Sequence, residues 1–139
     1  MPGYFLIKSE PDKYAYAALE RDGRTTWDGV RNFEARKHLR AMQSGDLALY
    51  YHSNVDKAVV GVARVVRPAY PDPSAPGEDW SAVDVAPEEA FATPIALEAM
   101  KRDRALAGLL LLTRPRLSVL PVSPAHFDHI VKLGRRPAA

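Results

Sequence analysis

Tyr4-Phe-Leu-Ile-Lys-Ser-Glu-Pro11 is the stretch from which the fold can be worked outward. Its first four residues are aromatic or branched, as in an inner strand, and Pro11 ends the strand because proline has no N–H to give to a ladder. Lys8 to Pro11 then makes a polar loop at the strand's end. The same grammar returns downstream. The turn Ser44-Gly-Asp46 delivers Leu47 to Tyr51 as a buried strand, followed by the polar patch His52-Ser-Asn54. Ala58 to Val66 is β-branched-rich and reads as a central strand, with Gly61 predicting a bulge or the close approach of another backbone. Trp80 to Val85 and Leu117 to Val122 complete the strand candidates, and Thr25-Thr-Trp27 can be extended.

Helices fit between these runs. Tyr14 to Asp22 is a short helix closed by Gly23, and Asn32 caps a second one, running to about Met42, whose Phe33, Leu39 and Met42 lie near one face. A short helix from Leu97 to Arg102 follows Thr93-Pro94, with Leu109 to Leu112 as a buried connector. Ser123-Pro124 supplies a cap and a first-turn proline for the last helix, which carries Phe127, Ile130 and Val131 inward and closes at Gly134. Prolines 68, 71, 73 and 76 with Gly77 predict a surface loop, because their missing N–H groups forbid helix and inner strand. No internal repeat and no long linker interrupt the pattern. The expectation is one mixed α/β (α+β) domain over residues 4–134, with a frayed tail at 135–139.

At 139 residues a chain can bury one sizeable core, and 47% hydrophobic against 26% charged residues is an ordinary globular balance. Ala105 to Leu112, the longest run without a strongly polar residue, is far short of the ~18 residues that span a bilayer. The apolar run Tyr4 to Ile7 is too short for a secretory core, so a cytoplasmic protein is expected, nuclear in a eukaryote. With no cysteine, disulfides, thiolate zinc sites and cysteine nucleophiles are excluded. A net charge of +2 is too small for general attraction to polyanions. Its distribution is uneven: Arg31, Arg36, Lys37 and Arg40 face only Glu34 in their segment, whereas Pro68 to Thr93 holds six acids and no Lys or Arg. If both segments are surface, the molecule is electrically two-faced.

Polar or aromatic groups gather at three strand ends: Lys8-Ser-Glu-Pro11, Trp27-Asp-Gly-Val-Arg-Asn32 and His52-Ser-Asn54. Strand ends are where pockets form. A flat heteroaromatic ligand needs a π-face to stack on and hydroxyls or amides at its edge, and Trp27, Asn32, Ser53 and Asn54 are of those types. The plain alternative is a core tryptophan and two capping asparagines. An enzyme using Glu10, His52 and Ser53 is a further alternative, although adjacent residues on a strand alternate in direction and no nucleophile elbow is present. His126 and His129 could share a metal, but no carboxylate or cysteine motif completes such a site, so neither metal nor cofactor is expected. The acidic stretch 72–89 leaves open a protein-interaction module.

Together, Tyr4-Phe-Leu-Ile-Lys-Ser-Glu-Pro11, Trp27-Asp-Gly-Val-Arg-Asn32, Gly45-Asp46, Tyr51-His-Ser-Asn54 and Arg116-Leu-Ser-Val119 resemble an EVE domain of the PUA-like superfamily, from about Tyr4 to Gly134. Ala96 and Val55 depart from types common in that family, but neither belongs to the implied pocket. The resemblance implies a PUA-like twisted β pseudo-barrel flanked by short helices. It also implies recognition of a modified base, 5-methylcytosine or a relative, in DNA or RNA. The implied pocket is Ser9, Glu10, Trp27, Asn32, His52, Ser53, Asn54, Leu117 and Ser118, with Lys8, Arg31 and Arg116 nearby. Arg36 and Lys37 are further candidates for phosphate contact, and a monomer is the favoured state.

Overall fold

The computed structural model describes residues 3–137. A six-stranded sheet in the order β2-β5-β4-β3-β1-β6 carries the fold. Its strands are β1 (Tyr4–Ser9), β2 (Thr25–Trp27), β3 (Leu47–His52), β4 (Ala58–Pro71), β5 (Ser81–Ala96) and β6 (Val119–Pro121). β1 and β3 run parallel and the other neighbours antiparallel. The sheet curls into a half-barrel. Helices α1 (Pro11–Tyr14), α2 (Tyr16–Asp22), α3 (Phe33–Ala41), α4 (Leu97–Lys101), α5 (Leu110–Thr113) and α6 (Pro124–Arg135) flank it. Leu6, Ile7, Leu49 and Tyr50 of the parallel pair are fully buried, as are Leu39 of α3 and Ile130 of α6.

Local signals set the helix ends. The Asn32 side chain accepts from the Ala35 N–H, Ser123 accepts from the His126 N–H, and Gly23 takes the left-handed conformation (φ 75°) that closes α2. The helix expected from Tyr14 is broken at Ala15, whose extended backbone (ψ 159°) separates α1 from α2. At Gly61 a Cβ would lie 2.8 Å from both the Glu89 carbonyl oxygen and the Tyr16 ring, which is the close approach the glycine predicts.

Larger departures concern β4 and β5. The stretch expected to be a proline loop begins as strand, with Pro68 and Pro71 inside β4. Pairing of β4 with β3 stops at Arg64, so beyond it β4 pairs only with β5 and a missing N–H can face the open edge. β5 runs on to Ala96, well past the expected Val85. Its Pro94 falls in the register shift between Val59 and Gly61, and Pro87 sits beside the shift between Val62 and Ala63. The last strand is shorter than expected, and the connector at Leu109 becomes α5.

Gly134 does not close α6. It lies buried within the helix, where a Cβ would come 2.3 Å from the Phe91 ring, and the helix continues to Arg135. Arg135 of the expected frayed tail is therefore helical, bonded through Nε to Glu89 at 2.8 Å; residues 138–139 lie outside the described range. The two-faced charge pattern also fails. Arg31 pairs with Asp72 at 2.9 Å, Arg36 and Arg40 with Asp79 at 3.3 and 2.5 Å, and Arg64 with Glu88 at 2.5 Å. Folding lays the basic segment against the acidic one, so the stretch 72–89 is not a free acidic face.

Candidate functional site

Because β1 and β3 are parallel, their carboxyl ends lie side by side, and the Ser53 N–H donates to the Ser9 carbonyl at 2.9 Å. Across the curl stands β2, and the segment leading into β6 closes a third side, held by the Lys8 N–H on the Ser118 carbonyl at 3.1 Å. Between them opens a cleft of about 1130 Å³. That volume is somewhat above the usual range for ligand pockets, enough for a base with part of its backbone.

One wall is the half-buried indole of Trp27, the last residue of β2. Its ring packs nearly perpendicular to that of Tyr50 at 5.4 Å and 81°, and Tyr50 in turn to Tyr16 at 5.2 Å and 79° and to His52 at 5.8 Å and 81°. The Tyr50 hydroxyl donates to the Tyr14 carbonyl at 2.7 Å, and the Tyr16 hydroxyl to the Val62 carbonyl at 2.7 Å. Burial raises both phenol pKa values, that of Tyr16 to about 12, so both stay neutral donors.

The rim is polar. Lys8 donates through Nζ to the Pro115 carbonyl at 2.9 Å, and burial lowers its pKa. Glu10 accepts from the Asn54 amide at 2.6 Å and pairs with Lys13 at 3.2 Å. On the opposite lip, Gly29 (φ 78°) donates its N–H to Asp72 at 2.9 Å, and Arg31 bonds the same oxygen at 2.9 Å. The Asp72 side chain is wholly buried. Burial by itself would raise its pKa, but bonds from Ser74, Arg31 and Gly29 outweigh it and hold the value at about 2. Asp84, beneath β2, behaves similarly. Burial opposes its charge, yet hydrogen bonds from Tyr70, Arg24 and Thr26 leave its pKa below the ordinary carboxylate value. Lys8, Lys13, Arg24, Arg31 and Arg116 line the cleft against Glu10, Asp28 and Asp84, a net positive wall.

Of the residues singled out from sequence, Lys8, Ser9, Glu10, Trp27, Arg31, Ser53, Arg116 and Ser118 line this cleft. The others are elsewhere for identifiable reasons. Asn32 spends its side-chain oxygen on the α3 cap, and Leu117 is buried in the core. His52 is also buried: its Nε2 accepts the Tyr16 N–H at 3.1 Å and its Nδ1 faces Asp56 at 2.9 Å. Asn54 acts on the cleft only by gripping Glu10. Arg36 bonds the Asp79 carbonyl at 2.8 Å, and Lys37 is exposed along α3.

Sequence reasoning missed Lys13, Arg24, Thr25, Thr26 and Asp84. Strand alternation outward from Trp27 puts Thr25 on the same face and was the available signal. Asp84 had none, since only the pairing of Thr26 with Asp84 across β2 and β5 brings it there.

Such a site can hold a flat polar ring against an aromatic wall and place cations near a phosphate. His52 is not placed for acid–base work in the cleft. With Nε2 accepting a backbone N–H, the His52 ring carries its proton on Nδ1 toward Asp56 and has no nitrogen left for a ligand. Among the described residues no group of three or more His, Cys, Asp or Glu is placed to hold a metal, and His129 instead bonds Asp103 at 2.7 Å. No helix among them is long and apolar enough to cross a membrane.

Known proteins share this architecture. Thymocyte nuclear protein 1 of Mus musculus is 36% identical, with the match covering 96% of this chain and 74% of that protein. A crystal structure of a protein from Agrobacterium tumefaciens superposes with a TM-score of 0.93 at 35% identity, covering 97% of this chain and 96% of that one. The crystal structure of human THYN1 protein in complex with 5-methylcytosine-containing DNA superposes with a TM-score of 0.88 at 31% identity, over 98% and 99% of the two chains. The curled sheet with short flanking helices is thus a PUA-like fold. The EVE domain profile matches residues 3–133, and the chain belongs to the EVE domain family.

Proposed function

We propose that this chain is a nucleic-acid-binding module that takes one modified cytosine, 5-methylcytosine or a relative, out of its strand and into the cleft, without catalysing a reaction. The observation that carries this reading is the half-buried Trp27 indole, braced by Tyr50 and surrounded by Ser9, Glu10, Ser53 and Ser118 in a net positive cleft. The DNA in the human THYN1 complex carries 5-methylcytosine, which supports the same ligand class here. Trp27 supplies the stacking face. The three hydroxyls and the Glu10 carboxylate read the edge, a carboxylate being the natural acceptor for the exocyclic amino group of cytosine. Lys8, Arg31 and Arg116, joined by Lys13 and Arg24, meet the backbone phosphates.

Magnitudes favour an unpaired or distorted strand. Extruding a base costs a few kcal/mol, whereas stacking on one aromatic contributes roughly 1–3 kcal/mol. The added methyl contributes about 1–3 kcal/mol, which limits the preference to roughly tenfold to two-hundredfold. The engaged nitrogens of His52 support binding rather than turnover. The compartment follows the polymer: cytoplasm, or nucleus in a eukaryote.

Oligonucleotides with a central cytosine or 5-methylcytosine, single-stranded and duplex, as DNA and RNA, are to be titrated against wild type and Trp27→Ala. Wild type should prefer the methylated strand, and Trp27→Ala should lose roughly tenfold or more in affinity. Equal affinity of the two proteins for every oligonucleotide would exclude the cleft as the binding site.

A further inference from the structure

Phe33 opens α3 with 69% of its surface exposed, an unusual position for a large apolar ring that the core does not use. It is not isolated. Its ring stacks on Trp80 at 5.4 Å and 20°, and the Arg36 guanidinium lies 4.8 Å from the Phe33 ring centre and 5.2 Å from that of Trp80. Arg36 is anchored by the Asp79 carbonyl, so the assembly is set before any ligand arrives. On its inner side the Arg31 guanidinium lies 5.7 Å from the Trp80 ring. Arg31 is also a lining residue of the cleft. Phe33 follows Arg31 by two residues, at most ~7 Å along the backbone, so the exposed ring and the cleft are neighbours.

We propose that the stacked pair Phe33–Trp80, with Arg36 against both rings, is a second platform that receives the base next to the one held in the cleft, on the same strand. This rests on the cleft reading above and adds to it a nucleotide subsite. Charge does not explain the feature, because Arg31 and Arg36 already have carboxylate partners in Asp72 and Asp79. What remains available is a π-face, which any base can stack on. Lys37, exposed one helical turn beyond Phe33 and on the same face, supplies a cation for that nucleotide's phosphate. The platform thereby favours an unstacked strand over an intact duplex and is indifferent to the neighbour's sequence.

The test compares 5-methyl-dCMP with a single-stranded DNA pentamer carrying 5-methylcytosine at its centre. Titrations use wild type, Phe33→Ala, Phe33→Tyr and Trp27→Ala, with thermal melts to establish that each is folded. Phe33→Ala should bind the pentamer roughly tenfold more weakly and the mononucleotide unchanged, and Phe33→Tyr should restore the pentamer affinity. Trp27→Ala should weaken both ligands. In wild type, abasic spacers in place of the flanking nucleotides should remove the same tenfold. Pentamer affinity insensitive both to Phe33→Ala and to abasic flanks, with Trp27→Ala still impaired, overturns the platform and leaves the cleft reading standing. Wild type binding neither ligand, or Trp27→Ala binding both normally, overturns the cleft reading and the platform with it.

Discussion

The two ends of the parallel pair β1 and β3 are built from similar residue types and finished in opposite ways. At the amino end, the buried Asp46 carboxylate accepts the Gly3 N–H at 2.8 Å and the Gln43 N–H at 2.9 Å, and Tyr4 stacks on Phe127 at 4.3 Å. There the buried carboxylate is closed by the chain's own N–H groups. At the carboxyl end, Ser9, Glu10 and Ser53 face a cleft, and the aromatic Trp27 stands beside them as a wall. A polar group closed by its own chain stabilises the fold, whereas one left facing a cavity is available to a ligand. The difference in polar satisfaction marks the functional end more clearly than residue type does.

The largest effect should come from the sealed end. Asp46→Ala strands two backbone donors and should lower the unfolding free energy by roughly 2–3 kcal/mol in a denaturant titration, with ligand affinity per folded molecule unchanged. A matching loss of affinity would show that the two ends are not independent.

Asp72, under the lip of the open end, should couple stability to binding. Its pKa in the folded chain is about 2, below the ordinary value of 3.8. A carboxylate depressed in this way contributes stability above the unfolded pKa and loses it as pH falls through the folded one. Wild type should therefore exceed Asp72→Asn by about 2 kcal/mol near neutral pH, and the advantage should shrink from just below pH 4 toward pH 2. Freed from Asp72, Gly29 and Arg31 should also bind oligonucleotide more weakly. Acid unfolding curves that stay parallel down to pH 2 would contradict the assignment.

The smallest effect is expected at Lys8, a rim cation. Lys8→Ala should reduce the salt dependence of oligonucleotide binding by about one counterion, without altering the preference for the methylated base. An altered preference instead would move Lys8 from phosphate contact to base reading and sharpen the boundary between rim and pocket.

Much of this was legible along the chain because it is local. Asn32 and Ser123 cap helices through bonds three residues on, and Gly23 closes α2 within one turn, so short windows suffice. The second half of β5 was not legible. Pro87, Glu88, Glu89 and Pro94 look like loop, and only pairing with β4 through bulges makes them strand. Charge misled for the same reason, since Arg36 and Asp79 cancel across 43 positions. Within the site, motif proximity was a better guide to neighbourhood than to role. Ser53 faces the cleft while His52, one residue earlier, turns to the Tyr16 backbone.

The perpendicular rings running from Trp27 through Tyr50 to Tyr16 have a consequence for selectivity. A wall propped edge-on by successive aromatics surrendered its freedom when the chain folded, so an arriving guest does not have to order it. The same stiffness prevents it from retreating for a wider guest. Since the cleft, at about 1130 Å³, admits rings of either size, the fixed wall sets only the plane of the guest, and the hydroxyls and the carboxylate are left to tell one base from another.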